Sequence, residues 1–181
     1  MVALGANQPL VGKGLSETLL AAIADLSGDG MEVVASSRLF KTPCFPVGAG
    51  PDYVNAAVAL RTELAPGEVL ARLHAIEARY GRERVQRWGQ RTLDLDLVAM
   101  EDMVLPDTAT QDRWRALPPE AQATQAPGEL ILPHPRVQDR AFVLVPLADV
   151  APDWRHPRLG LSVREMLDRL QLADIEAVKP L

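Results

Sequence analysis

Apolar residues follow two rhythms along this chain, and the switches between them mark its elements. Residues 2–5 form a short apolar run that passes into "GANQPLVGKG", a loop rich in Gly, Pro and Asn. Leu15, Leu19, Ile23 and Leu26 then recur at helical spacing, and Gly28 with Gly30 supplies a stop. "MEVVASSRLFK", residues 31–41, predicts one strand, and "TPCFPVGAGPD" after it predicts a loop, because its prolines and glycines exclude regular structure. In "YVNAAVALRTEL" the alternation is strict: Val54, Ala56, Val58 and Leu60 share one face, Tyr53 and Asn55 the other. Pro66 opens a second helix with an apolar stripe of Val69, Leu70, Leu73, Ile76 and Tyr80, closed by Gly81. After an arginine-rich stretch, Leu93, Leu95 and Leu97 alternate with Asp94 and Asp96.

The order β-α-β-β-α-β predicts an α+β fold with a ferredoxin-like βαββαβ core: an antiparallel sheet with both helices on one face and extra helices at the C-terminal end. Tyr53, Asn55, Asp94 and Asp96 then point to the face the two helices leave uncovered. Residues 101–129 lack sustained periodicity and read as an irregular excursion with a weak helical turn near Trp114. "LILPHPRVQDRAFVLVPLADVAPDW" predicts short helices at the end of the sheet, and "SVREMLDRLQ" a last amphipathic helix. The 181 residues fit one domain.

Composition narrows the function classes. A net charge of -5 argues against a general nucleic-acid binder. Cys44 is the single cysteine, which fits a reducing compartment. Nothing resembles a signal peptide or a membrane span, so the expectation is a cytoplasmic protein with no membrane partner. Locally the charge is different: Arg79, Arg82, Arg84, Arg87 and Arg91 fall within thirteen positions, with Glu83 the sole acid among them. Such a cluster suits a small polyanion.

Two carboxylates two apart on a strand lie roughly 6–7 Å apart and project from the same face. Asp94 and Asp96 therefore suit divalent metals whose remaining positions go to phosphates, with guanidinium groups as the complementary charge. An Asp-x-Asp alone is more often a solvated surface or an edge device. Tyr53 could stack on a planar ligand and Asn55 read its edge, or both could belong to an ordinary exposed strand face. His134 between prolines could serve a phosphate or a turn; Arg140 and Phe142 could share a pocket, or Phe142 could be core. Glu77 reads first as an ordinary helix ion pair, with a ligand's amine as the alternative partner.

Taken together, "ALGAN", "TPCFPVGAGPDYVNAAV", "RWGQRTLDLDLV" and "LPHPRVQDRAFVLVPLADVAP" resemble the 6-hydroxymethyl-7,8-dihydropterin pyrophosphokinase family of folate biosynthesis, in the family's order. The resemblance implies that ATP donates diphosphate to the pterin hydroxymethyl group and leaves as AMP. By the same implication, Asp94 and Asp96 hold two Mg²⁺ ions, and Arg82, Arg84 and Arg91 grip the phosphates or close the site. Trp88 fixes their loop, and Glu77, His134 and Arg140 serve the nucleotide side. Tyr53 and Phe142 enclose the pterin ring, Asn55 bonds its edge, and Thr42 with Pro43 contacts it through the backbone. ATP and the pterin are the implied partners of a monomer. The chain departs from the family in "GAN" for the usual "GSN", in an arginine stretch one residue short with Val85 where a lysine is common, and in the longer excursion. Two rival readings are a sheet that binds ligand or RNA without chemistry and a metal-dependent nucleotidyltransferase. The low aromatic content, 4%, weighs against RNA.

Overall fold

The computed structural model describes residues 1–44, 50–81, 91–118, 121 and 124–181. Its architecture is mixed α/β around a six-stranded antiparallel sheet. The strands are β1 (Val2–Ala6), β2 (Met31–Ser36), β3 (Phe40–Thr42), β4 (Tyr53–Thr62), β5 (Asp94–Leu97) and β6 (Lys179–Pro180). They lie in the order β5-β1-β4-β3-β6, with β2 also on β4. The ten residues of β4 make it the spine: β1 runs along one side, while β2 takes Val58–Thr62 and β3 takes Tyr53–Asn55 on the other.

The single strand expected over residues 31–41 is therefore two. Side chains stabilise the break. Ser37 Oγ accepts the Ala57 N–H at 2.9 Å, and Asp149 accepts the Arg38 N–H at 3.1 Å together with the Arg38 guanidinium. Backbone groups that a continuous ladder would pair are thus satisfied without it. β2 also carries a register shift between Val33 and Ala35.

Helices α1 (Leu15–Asp25) and α2 (Pro66–Arg79) cover one face, as their stripes predict. Leu19, Leu26, Val69, Leu73 and Ile76 pack there on Val2, Leu4, Val54, Ala56, Val58, Leu95 and Leu97. Fully burying each of the larger side chains is worth about 1.5–3 kcal/mol. Gly81, at φ +73°, ends α2 in a left-handed conformation that glycine adopts without strain. Glu77 of α2 is buried against β5, its Oε1 accepting the Leu95 N–H at 2.7 Å.

The opposite face is not left wholly uncovered, which corrects the expectation of helices on one side and short ones at the sheet's end. Helix α4 (Ala141–Val150) lies across it, packing Val143, Leu144 and Leu147 on Ala3, Ala57 and Val98. α4 is apolar on more than one side because Val145 packs on a further cluster of Phe40, Ala141 and Val178. Small residues at positions 3 and 57 let it approach.

The first part of the excursion is better ordered than its periodicity predicts. Asp107 caps helix α3 (Thr108–Arg115), its Oδ1 accepting the Thr110 N–H at 2.9 Å. Polar contacts dock this helix: the buried Gln111 donates through Nε2 to Pro133 O at 3.2 Å, and Asp112 accepts from Arg158 at 2.6 Å. Leu105 and Leu132 exchange backbone hydrogen bonds, so the excursion braces the segment leading to His134. The expected last helix is shorter than its pattern, α5 (Val163–Leu167), capped by Ser162, and a further short helix that was not expected follows it, α6 (Leu172–Glu176). Among the described residues no helix is long and apolar enough to cross a membrane.

Candidate active site

The site grows out of strand register. Gly5 of β1 lies opposite Asn55 of β4 on one side and Asp94 of β5 on the other; two residues back, Ala3 lies between Ala57 and Asp96. Because side chains alternate along a strand, these residues share the face that α4 partly covers. Gly5 lets the Asn55 amide lie close against β1. A Cβ there would lie 2.9 Å from Asn55 Oδ1 and 3.9 Å from Tyr53 Cδ1, closer to the amide than real side chains come. Asn55 is buried and donates through Nδ2 to Thr42 Oγ1 at 2.7 Å, so Thr42 fixes the amide with its oxygen toward Gly5. Pro43 follows, exposed, and Cys44 Sγ bonds both the N–H and the carbonyl of Gly50, clasping the ends of segment 45–49. Tyr53 is half-buried; burial raises its phenol pKa first, Arg91 opposes and Asp94 adds to it.

Charge gathers at the β5 end of this row. Arg91 pairs with Asp94, and Arg140 Nη1 stands 3.8 Å from Asp96 Oδ2. The Arg140 guanidinium also lies over the Phe142 ring, 5.6 Å from its centre, and that ring is 41% exposed although it sits in an apolar run. Phe142 thus faces the charged groups rather than the core.

His134 is held from both sides. Its N–H donates to Val98 O at 2.7 Å, and its Nδ1 accepts the Arg136 N–H at 3.1 Å, which leaves Nε2 to carry the ring proton. Burial first, then Arg140 and Arg136, push its pKa down to about 3 against the opposing charge of Asp94. A neutral imidazole that donates from Nε2 suits an anionic oxygen. Arg136 bonds Asp139 at 2.6 Å, and burial followed by Arg140 lowers its guanidinium pKa from the ordinary value while Asp139 opposes.

The structure brings together Tyr53, Asn55, Thr42, Arg91, Asp94, Asp96, His134, Arg140 and Phe142. Glu77 lies on the other side of β5, against the helix layer. Arg82, Arg84 and Trp88 lie outside the described residues. Sequence reasoning missed Gly5 and Arg136. Gly5 matters through register, which no local pattern reveals, whereas the spacing of Arg136 from both His134 and Arg140 was a signal within reach.

A model of the 7,8-dihydro-6-hydroxymethylpterin-pyrophosphokinase (HPPK) family matches residues 1–152. The chain belongs to that family. Among its HPPK relatives, the 2-amino-4-hydroxy-6-hydroxymethyldihydropteridine pyrophosphokinase of Synechocystis sp. is 38% identical over 181 residues, 99% of this chain and 80% of that protein. The protein of the same name from Pseudomonas aeruginosa is 39% identical over 144 residues, covering 80% of this chain and 76% of the other. A crystal structure of an HPPK-DHPS in complex with substrates superposes with a TM-score of 0.61 at 12% identity, covering 92% of this chain and 42% of that one. Wild-type Plasmodium falciparum HPPK-DHPS with pteroate gives 0.59 at 12% identity, covering 93% and 41%. At such identity these matches carry the HPPK fold alone, and the chain spans about two fifths of those longer chains.

Proposed function

We propose that this HPPK chain transfers diphosphate from ATP to the hydroxymethyl group of 6-hydroxymethyl-7,8-dihydropterin on the sheet face between Asn55 and Asp96, in the cytoplasm and as a single-domain monomer. The observation that carries the reading is the row Asn55, Gly5, Asp94: an amide for the edge of a flat ring, a glycine that lets this amide lie close against β1, and a carboxylate. The strand order with α1 and α2 on one face supports a ferredoxin-like core under this site.

Tyr53 and Phe142 supply aromatic faces for the pterin ring, Asn55 bonds its edge, and Thr42 with Pro43 lies beside it. Arg91, Arg140 and His134 serve the phosphates, joined by Arg82, Arg84 and Trp88 from the preceding segment. The donor set fits Mg²⁺, an ion that takes one or two carboxylates and leaves its other positions to water and phosphate. Each carboxylate already has a guanidinium partner, so the face favours cations at both positions. Asp94 and Asp96 would hold two such ions, which when bound neutralise the attacking and leaving oxygens.

The pterin hydroxyl oxygen forms a bond to the β-phosphorus as the bond from that phosphorus to the α,β-bridging oxygen breaks. AMP departs with the electron pair, and the hydroxyl proton is released. The protein's own part is to align the two substrates in line and to hold positive charge around the phosphates. The test is to mix protein, Mg²⁺, ATP and 6-hydroxymethyl-7,8-dihydropterin and resolve the nucleotides by chromatography. AMP that appears only with the pterin is the expected result; ADP, or AMP without the pterin, would reject the reading.

A further inference from the structure

The loop after β1 closes onto the start of the acidic strand. Asn7 is 5% exposed, in the middle of a stretch otherwise made for turning. Its N–H donates to Arg91 O at 3.0 Å, the Gln8 N–H donates to the same oxygen at 3.1 Å, and the Arg91 N–H donates back to Asn7 Oδ1 at 2.8 Å. Both backbone groups of Arg91 are thus gripped by a loop 84 positions away. Three residues on, Arg91 pairs through its guanidinium with Asp94.

Two of the three bonds are donated by backbone N–H groups and do not depend on a side chain. The third depends on one side-chain oxygen. Residue 91 is where the chain enters β5 from the segment holding Arg82 and Arg84, so a fixed peptide here sets where the Arg91 side chain starts. The ladder between β1 and β5 does not do this, since its pairing ends at Gly5 and Asp94. We propose that Asn7 is a positioning residue for Arg91: its Oδ1 fixes the peptide from which the guanidinium reaches the transferring phosphates. This rests on the diphosphate-transfer reading above.

The test has an arm that needs no substrate and an arm that does. In the ligand-free protein, exchange of the Arg91 amide should rise by about tenfold or more in Asn7→Ala relative to the Leu95 amide, and return in Asn7→Asp, which keeps an acceptor. With substrates, Asn7→Ala should lower kcat by roughly 10- to 100-fold, the cost of a small misplacement, while KM for the pterin stays within about twofold. Asn7→Asp should restore most of kcat. Added to Arg91→Ala, Asn7→Ala should cost nothing further, because the group it positions is gone. Asn7→Ser, too short to reach, replaces Asn7→Ala if the latter does not fold. Unchanged Arg91 exchange, wild-type kcat in a folded variant, or an equal loss in the Arg91→Ala background would each overturn the role. Absence of AMP from the wild-type enzyme would instead overturn the parent reading, and an exchange effect on its own would leave Asn7 a loop clasp.

Discussion

Two positions along one face of β1 separate a packed interior from a polar surface. At Ala3, with Ala57 opposite, the face is closed by Val143, Leu144 and Leu147 of α4. At Gly5, with Asn55 opposite, the neighbours are an amide, a phenol and an ion pair. Both halves are built from small residues, but for different reasons. In the first, smallness lets a helix approach; in the second it lets the Asn55 amide lie close against the backbone of β1. What divides them is Arg140, at the start of α4, from which the chain turns Phe142 outward and Val143 inward.

The sharpest way to break this contrast is to remove charge from β5, where Asp96 lies opposite Ala3 yet stays partly exposed. Asp96 pairs with Arg140 at 3.8 Å and is partly exposed, so Asp96→Asn should leave the unfolding midpoint near wild type and lower AMP formation on the order of 10²- to 10³-fold. Wild-type turnover would remove Asp96 from the chemistry. The converse applies to the closed half: Ala57→Leu adds volume at a residue 0% exposed and should cost about 1–3 kcal/mol in urea unfolding. Its kcat per folded molecule should not change, and a kcat loss larger than the stability loss would erase the division. Between these lies Gly5→Ala, whose added Cβ must displace the Asn55 amide. KM for the pterin should rise about tenfold, or about 1.4 kcal/mol, with a smaller change in kcat; an unaltered KM would mean that the Asn55 amide does not bond the ring.

The smallest effect serves as a control outside both halves. His156 is fully buried, its Nδ1 accepting the Arg158 and Leu159 N–H groups, and burial with the charge of Arg115 brings its pKa down to about 4. Its native pKa lies below the unfolded one, so its contribution is complete above about pH 6.5 and is lost as pH falls toward 4. Unfolding free energy should therefore fall on acidification by at most about 1.4 kcal/mol per pH unit from this residue. A His156→Gln variant should show a flatter profile between pH 6.5 and 4, and an unchanged slope would place the titration elsewhere.

Alternation and helical stripes were enough to read β1, α1, β4, α2 and β5, since each buries one apolar face. They also put Tyr53, Asn55, Asp94 and Asp96 on one side of the sheet. Elements held by polar contacts were harder to read. Helix α3 shows no apolar stripe, as its buried residues are Thr110 and Gln111, and the division of β2 from β3 depends on Ser37 and on Asp149 far along the chain. Helix α4 was visible as an apolar run, but not its placement, because only the contacts of Ala3 and Ala57 say which face it covers. Gly5 and Asn7 belong to the same class, with roles that arise from partners 50 and 84 positions away.

The rims of the sheet carry a consequence for behaviour in concentrated solution. An unpaired strand is a template for another molecule's strand, and each rim here resists that pairing in its own way. On β5 the Leu95 N–H is already bonded by the buried Glu77 carboxylate. On β2 the bulge between Val33 and Ala35 breaks the regular spacing that a second strand would need. On β6 the rim is two exposed residues, Lys179 and Pro180, one charged and one without a backbone donor. Among the described residues each rim is thus a poor template for fibrous self-association, and the same glutamate that braces β5 inside one molecule also occupies a donor that a neighbouring strand would need.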